Sequence, residues 1–328
     1  MKGKEFLIAL LMGVVLPGIV FTAVDKLVLL KDKPPAEESI ATEQYTTEMQ
    51  ASQQSNDIIP VLQADGTVCN MELEQYLVGV LLGEMPMSFD IEALKAQAVV
   101  ARTYTLRRCT VALKHDGGAV CVNSACCQSY CTKETYLSNG GSEALLNKAH
   151  SAVSATAGQV ITYNGGLIEA TYFSCSGGRT EDALAVWGAD IPYLQAVDSP
   201  GEENALHYTD SVSFSGTEFA NRLGLRLTGN PASWFGPVTY TSGRGVDTIV
   251  IGGVIFRGTE LRQRLGIRST AFNITPIGDS VHIVTRGFGH RVGMSQYGAE
   301  AMAVGGSNYE AILIHYYPGT SLTTYHRN

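Results

Sequence analysis

A chain of 328 residues with a hydrophobic fraction of 45% and a charged fraction of 16% is globular, long enough for one large core or two smaller ones plus a short appendage. Its formal charge of −8 argues against a nucleic-acid binder, because phosphate binding needs a basic face that releases counterions. Nor does that charge favour steering toward an acidic polymer.

Lys2 and Lys4 precede an uncharged, apolar run of nineteen residues from Phe6 to Val24. At about 1.5 Å per residue the run matches the hydrocarbon thickness of a bilayer. Residues 1–30 are therefore expected to be a cytoplasmic stub and transmembrane anchor, with the body carried outside the cytoplasm. A cleavable signal peptide is the competing reading, but its apolar region is usually shorter. The exit Phe21-Thr22-Ala23-Val24-Asp25 also has no clear Ala-x-Ala site. Residues 31–57 read as a flexible acidic linker. From Pro34 to Asp57 there are five acidic residues and no basic one, with too little apolar surface to offset the entropy of ordering. A folded body is expected over 58–328, in one lobe or two.

Ile58 to Leu62 reads as a strand, followed by an Ala64-Asp65-Gly66 turn. Leu73, Leu77, Val80 and Leu81 make one apolar stripe of a helix ending at Gly83. A second helix starts after Ser88 or Asp90, either of which can cap it, and Ile91, Leu94, Ala98 and Ala101 share one of its faces. The two predict a helical hairpin with Glu84 near its bend. Gly117 to Cys131 is loop-like and rich in cysteine, and Ser142 to Ala157 returns to helix. Strands are expected at Val160–Tyr163 and Leu167–Cys175, joined by the Asn164-Gly165-Gly166 turn. Further strands are expected at Val212–Phe214, Asp247–Phe256 and Ser280–Thr285, and helices at Thr217–Leu223 and Thr259–Leu265. The region from Ser295 to Tyr316 reads as two helices broken near Gly305-Gly306. The fold class is α+β, a mixed helix and antiparallel-sheet body in which the early hairpin packs against the later sheet.

Three stretches could carry chemistry. Glu84 stands between an apolar helix end and Pro86, with Arg102 and Tyr104 on the next helix. A carboxyl in apolar surroundings can stay protonated near neutral pH and serve as a proton donor. The alternative is a plain solvated helix terminus. The second stretch, Tyr172-Phe173-Ser174-Cys175-Ser176-Gly177-Gly178-Arg179, ends a strand in hydroxyls and glycines. The third, Arg286-Gly287-Phe288-Gly289-His290-Arg291-Val292-Gly293-Met294-Ser295-Gln296-Tyr297-Gly298, reads as a tight loop presenting side chains. Each alone is compatible with a simple turn or a structural histidine.

A separate cluster, His115, Cys121, Cys126 and Cys127, has the form H-x5-C-x4-C-C, with Cys131 nearby as a competing ligand. Four N/S donors suit tetrahedral zinc, while a location outside the cytoplasm would also permit disulfides. Seven cysteines cannot all pair within the chain. The absence of an H-E-x-x-H arrangement argues against a catalytic zinc hydrolase.

Taken together, the motifs resemble the stage II sporulation protein D family. The resemblance is carried by Tyr76-Leu77-x-Gly79-Val80-x-x-Gly83-Glu84-Met85-Pro86 and Glu92-Ala93-Leu94-Lys95-Ala96-Gln97-Ala98-Val99-x-Ala101-Arg102-Thr103-Tyr104. It continues through Ser174-x-Ser176-Gly177-Gly178, Trp187-Gly188, Pro192-Tyr193-Leu194 and Gly289-His290-x-x-Gly293-Met294-Ser295-Gln296-x-Gly298-Ala299. It covers roughly Ile58 to Pro318 in unbroken order.

The resemblance implies a membrane-anchored lytic transglycosylase that cuts the MurNAc–GlcNAc bond of peptidoglycan strands lacking stem peptides, leaving 1,6-anhydro ends during engulfment. It implies Glu84 as the acid/base, with Arg102, Tyr172, Ser174, Ser176, Tyr193, His290 and Gln296 expected to line a cleft and hold the sugars. It implies zinc, structural in role, at His115, Cys121, Cys126 and Cys127, where some members use two histidines and two cysteines. The implied partners are a sporulation amidase and a polytopic membrane protein. The implied location is the septal membrane, on the mother-cell side. The alternative is a non-catalytic, glycan-binding enhancer of a cell-wall amidase.

Overall fold

The computed structural model describes residues 57–110, 114–115, 117 and 120–325. The expected anchor at 1–30 and the linker at 31–57, save Asp57, lie outside the described residues. Among the described residues no helix is long and apolar enough to cross a membrane. The body is α+β, and its described residues divide into two compact units, 57–160 with 324–325, and 161–323.

In the first unit, β1 (Ile58–Leu62) turns Ile59 and Val61 inward and pairs antiparallel with β2 (Val68–Glu72). β3 (Val120–Cys121) pairs with β1 in parallel on its other edge. α1 (Leu73–Glu84) is buried over more than the expected stripe, since Tyr76, Val78 and Leu82 are enclosed along with Leu73, Leu77, Val80 and Leu81. A helix apolar nearly all round is an interior helix. It ends at Glu84 because Met85, ahead of Pro86, takes extended backbone (φ −126°, ψ 147°). α2 (Ile91–Thr110) begins at Asp90, whose Oδ1 accepts from the Glu92 amide at 2.8 Å, so Asp90 takes the capping role. After the short α3 (Lys133–Ser138), α4 (Glu143–Ala155) packs on both arms of the α1–α2 hairpin.

In the second unit, the predicted turn at Asn164-Gly165 joins β4 (Gln159–Tyr163) to β5 (Gly166–Leu167). The single strand expected over Leu167–Cys175 is instead interrupted. A tight turn, in which the Thr171 amide donates to the Glu169 carbonyl at 3.0 Å, redirects the chain before β6 (Tyr172–Phe173). β6 then pairs in parallel with β13 (Met294–Ser295), which brings the Ser-x-Ser-Gly-Gly and Gly-His stretches side by side. α5 (Ala183–Trp187) is a short exposed helix.

The run Asp247–Phe256 folds back on itself. Gly252 and Gly253 take positive φ (59° and 80°), as a two-residue hairpin turn requires, between β9 (Val246–Ile251) and β10 (Val254–Arg257). β8 (Phe235–Tyr240) completes that sheet, and β7 (Thr209–Ser215), β12 (Ser280–Arg286) and β11 (Phe272–Ile277) form a second antiparallel one with β12 central. Together with α6 (Gly216–Leu223) and α7 (Gly258–Leu265) they enclose one core of Phe214, Phe219, Trp234, Ile249, Phe256, Leu261, Val281 and Ile283. The terminal helices α8 (Gln296–Val304) and α9 (Tyr309–Tyr316) break at Gly305-Gly306 as the sequence predicts.

Candidate active site

Glu84 is the last residue of α1 and is half-buried. The segment Gln128–Cys131 lies across α1 as a strap. The Cys131 amide donates to the Gly79 carbonyl at 2.9 Å, and the Ser129 amide donates to Glu84 Oε1 at 2.5 Å. Tyr130 stacks on Tyr76, ring centroids 5.6 Å apart and planes 8° from parallel. Gln128, fully buried, donates from Nε2 to Thr105 Oγ1 at 2.9 Å and to Tyr76 Oη at 3.3 Å. So close an approach needs glycine on the helix. A Cβ at Gly79 would stand 2.2 Å from Tyr130 Cε2, and one at Gly83 would stand 2.9 Å from the Ser129 carbonyl carbon and the Tyr130 nitrogen. Glu84 Oε1 is thus oriented by a backbone N–H. Burial pushes the Tyr76 and Tyr130 phenols up from their ordinary values, so both rings stay neutral beside α1.

Arg102 does not do what was expected of it. Its side chain is fully buried, gripping Glu74 at both carboxylate oxygens (Nε–Oε1 2.8 Å, Nη2–Oε2 2.6 Å). Its remaining donors reach the Val153 carbonyl at 3.3 Å, the Gln159 carbonyl at 3.2 Å and Thr156 Oγ1 at 3.5 Å. Every donor is turned to the interior, so Arg102 offers a sugar no surface. It ties the start of α1 to the end of α4.

His115, Cys121, Cys126 and Cys127 place one donor atom each within 4.8 Å of one another. His115 Nε2 lies 3.3 Å from Cys127 Sγ and 3.6 Å from Cys126 Sγ. Those separations suit the edges of a tetrahedron with metal–ligand bonds of about 2.0–2.3 Å, so the donor set fits zinc. Cys131 stands outside the group, with its thiol directed to the Thr132 carbonyl. Cys121, Cys126 and Cys127 are not linked by disulfides. Burial pushes the Cys121 thiol up to about 11, with the Cys127 sulfur acting in the same direction.

The other six expected sugar contacts belong to the second unit, and they differ in accessibility. Ser176 is fully enclosed: its Oγ donates to Glu202 Oε2 at 2.9 Å and accepts from the Gly178 amide at 3.0 Å. Gln296 is 5% exposed at the start of α8. Tyr193 is buried against Tyr163, its hydroxyl accepting from the Glu169 amide at 3.0 Å. These three support the fold around the loops rather than present a sugar contact. Tyr172, Ser174 and His290 are partly exposed.

His290 Nδ1 accepts from the Val292 amide at 3.1 Å. Burial lowers its imidazole to about 4, the Arg262 charge acting in the same direction and a hydrogen bond to the Tyr172 backbone opposing it. The ring is therefore neutral at pH 7 and shaped for positioning rather than for giving up a proton.

Two buried charges that sequence reasoning missed hold these loops. Glu202 Oε2 accepts from the Ser176 and Gly177 amides at 2.8 and 3.0 Å, while Oε1 accepts from Ser199 Oγ at 2.6 Å. Arg291, at φ 67°, donates to the Ser176 carbonyl at 2.7 Å, the Arg179 carbonyl at 2.6 Å, the Gly243 carbonyl at 2.8 Å and Glu181 Oε1 at 3.2 Å. Arg291 stands inside a quoted motif. Glu202 has no local pattern that could have marked it.

A family model described as stage II sporulation protein matches residues 63–163. The chain is similar to stage II sporulation protein D of Bacillus subtilis (strain 168), 39% identical over 271 residues that span 81% of this chain and 78% of that one. It is 37% identical over the same length to the protein of that name from Bacillus amyloliquefaciens, with the same coverage. It is also similar to the amidase enhancer of Bacillus subtilis, 30% identical over 307 residues, which cover 76% of this chain and 40% of the enhancer.

Proposed function

The chain belongs to the stage II sporulation protein D family, and from that membership we propose that it is a lytic transglycosylase of peptidoglycan acting in sporulation. Its substrate is the glycan strand already stripped of stem peptides, cut between N-acetylmuramic acid and N-acetylglucosamine. The observation that carries this reading is Glu84, a half-buried carboxyl at the end of an interior helix, held at 2.5 Å by the Ser129 amide.

Glycosidases usually need two carboxyl groups, one to protonate the leaving oxygen and one to attack the sugar or activate water. Glu84 can do both proton transfers in sequence when the nucleophile belongs to the substrate. It protonates the glycosidic oxygen as the C1–O bond breaks. The C6 hydroxyl of the same muramic acid then bonds to C1, and its proton passes to Glu84, which is restored to its starting form. The products are a free hydroxyl on the released strand and a 1,6-anhydro end, with no water consumed.

His115, Cys121, Cys126 and Cys127 would hold a zinc ion in a closed shell, which supplies folding free energy to a loop without a core of its own. The uncharged run at Phe6–Val24 is read as an anchor that puts the body at the outer face of a septal membrane. A cell-wall amidase and a polytopic membrane protein are the proposed partners. The similarity to an amidase enhancer supports the amidase, and it also supports a second reading, in which the chain binds glycan and stimulates an amidase without cutting.

The deciding experiment incubates the protein and its Glu84→Gln variant with purified stripped strands and weighs the products by mass spectrometry. Anhydro-ended fragments from the wild type alone are expected. Reducing ends would mean a hydrolase, and binding without cleavage would favour the enhancer.

A further inference from the structure

The chain has two tryptophans, and they are treated oppositely. Trp234 lies in the core of the second unit at 8% exposure, its Nε1 donating to the Thr228 carbonyl at 2.9 Å. Trp187 closes α5 at 45% exposure. Leaving so large an apolar ring in water forfeits burial that a core position would have gained, and Leu184, one turn earlier on the same helix, is also exposed, at 55%.

Trp187 is exposed but firmly held. The Asp182 carboxylate caps α5 by accepting from the Ala185 amide at 2.7 Å, and Gly188 ends the helix at φ 74°. Arg257 Nη2 donates to the Ala185 carbonyl at 3.1 Å. The indole packs on the His290 ring, centroids 5.3 Å apart and planes at 52°, and His290 in turn meets Phe173 edge-on at 5.6 Å. One side of the indole is therefore fixed by a ring that is itself hydrogen-bonded to the backbone. The residues that follow, Gly188, Ala189 and Asp190, are exposed and small or polar, and nothing stands within 4 Å of where a Gly188 side chain would be.

We propose that Trp187 is the floor of a glycan-binding subsite, on which one hexose of the strand stacks its apolar C–H face. The reading rests on the proposed action on peptidoglycan strands and adds to it a contact in the second unit. A pyranose with equatorial substituents presents two apolar faces and a polar rim. A rigid aromatic plane beside a small-residue stretch and an exposed carboxylate, Asp190, matches both.

The test titrates the full chain with stripped glycan strands and follows tryptophan emission, with co-sedimentation as a second measure of binding. Trp234, enclosed in the core, serves as the internal reference. A saturable change in emission is expected from the wild type and from Glu84→Gln. Trp187→Ala should bind roughly tenfold more weakly and show no emission change, while Trp187→Phe, which keeps a ring, recovers most of the affinity. Circular dichroism matching that of the wild type qualifies both variants, and the loss in cleavage should lie in KM rather than kcat. Co-sedimentation without an emission change, or equal binding by Trp187→Ala, overturns the subsite, as does failure of the wild type to bind. Binding through Trp187 with no cleavage leaves the subsite standing and overturns the transglycosylase reading.

Discussion

Gly83→Ala probes whether the strap over α1 is what orients Glu84. An alanine Cβ would stand 2.9 Å from the Ser129 carbonyl carbon and the Tyr130 nitrogen, and 3.0 Å from Ser129 Oγ. Two of these are backbone atoms, so the strap must retreat rather than rotate a side chain away. Helix propensity favours alanine by about 1 kcal/mol. Against it, displacing a packed segment costs about 1–3 kcal/mol. Weakening the bond from the Ser129 amide to the half-buried Glu84 costs about 1 kcal/mol more. The net expectation is a destabilisation of about 1–3 kcal/mol, read as a lowered midpoint in urea. A domain of ordinary stability stays folded after that loss, so the assay at moderate temperature sees a folded enzyme. Cleavage of stripped strands should nonetheless fall about tenfold, because a displaced proton donor loses its alignment with the glycosidic oxygen. Ser129→Ala keeps the amide and should leave both quantities near wild type. A Gly83→Ala protein that is more stable than wild type and fully active would refute the reasoning, since the helix preference would then have prevailed without cost to the carboxylate.

Arg102→Met strands Glu74 without its bidentate partner and should cost about 2–4 kcal/mol in urea unfolding; loss of cleavage at unchanged stability would instead return Arg102 to the chemistry. For His290 the folded imidazole, lowered to about 4 by burial, lies below its unfolded value of about 6.5, so the unfolded chain binds the extra proton. Stability from this group is present above about pH 6.5 and is lost as pH falls toward 4, by about 2–3 kcal/mol. Thermal melts of wild type and His290→Asn across that range should converge in acid, and parallel curves would contradict it. Zinc analysis of the purified chain should approach one ion per molecule, and a chelator should lower the melting temperature by several degrees, reversed by added zinc. Sub-stoichiometric metal with Cys121 and Cys127 oxidised would exclude the site.

The elements set by local chemistry were legible. Pro86 marked the end of α1, Asn164-Gly165 marked a hairpin, and Gly305-Gly306 marked the break between α8 and α9. The run Asp247–Phe256 read as a single strand because its apolar residues are continuous, and only the paired positive φ of Gly252 and Gly253 reveals the fold-back. Glu84 was legible as a position but not its orientation, which comes from an amide forty-five residues later in the chain. Arg102 was misread because helical spacing gives the face of a residue, not its partner. Glu74, twenty-eight residues earlier, decides that it is structural. Burial likewise separated Ser176 from Ser174, although the two stand in one motif.

The first unit joins its two sites through the chain itself. Cys127 is followed directly by Gln128, the first residue of the strap, and the strap's next amide reaches Glu84. The stretch from Lys114 to Cys127 contributes only Val120 and Cys121 to regular structure among the described residues, so its backbone has little ladder to fix it. Beyond its short pairing with β1 and the turn closed by the Asn123 carbonyl, side-chain contacts help hold it: His115 to Cys126 and Cys127, and Lys114 Nζ to the Cys126 carbonyl. A zinc ion held there, as proposed, would close a short loop at small entropic cost and deliver its stabilisation beside the strap rather than spread it through the unit. The thiols and Glu84 would then be one mechanical unit. Replacing Cys126 or Cys127 by serine should lower stability and cleavage together, whereas destabilising the α6–α7 core of the second unit by the same amount should leave the Glu84 bond, and the turnover it supports, in place.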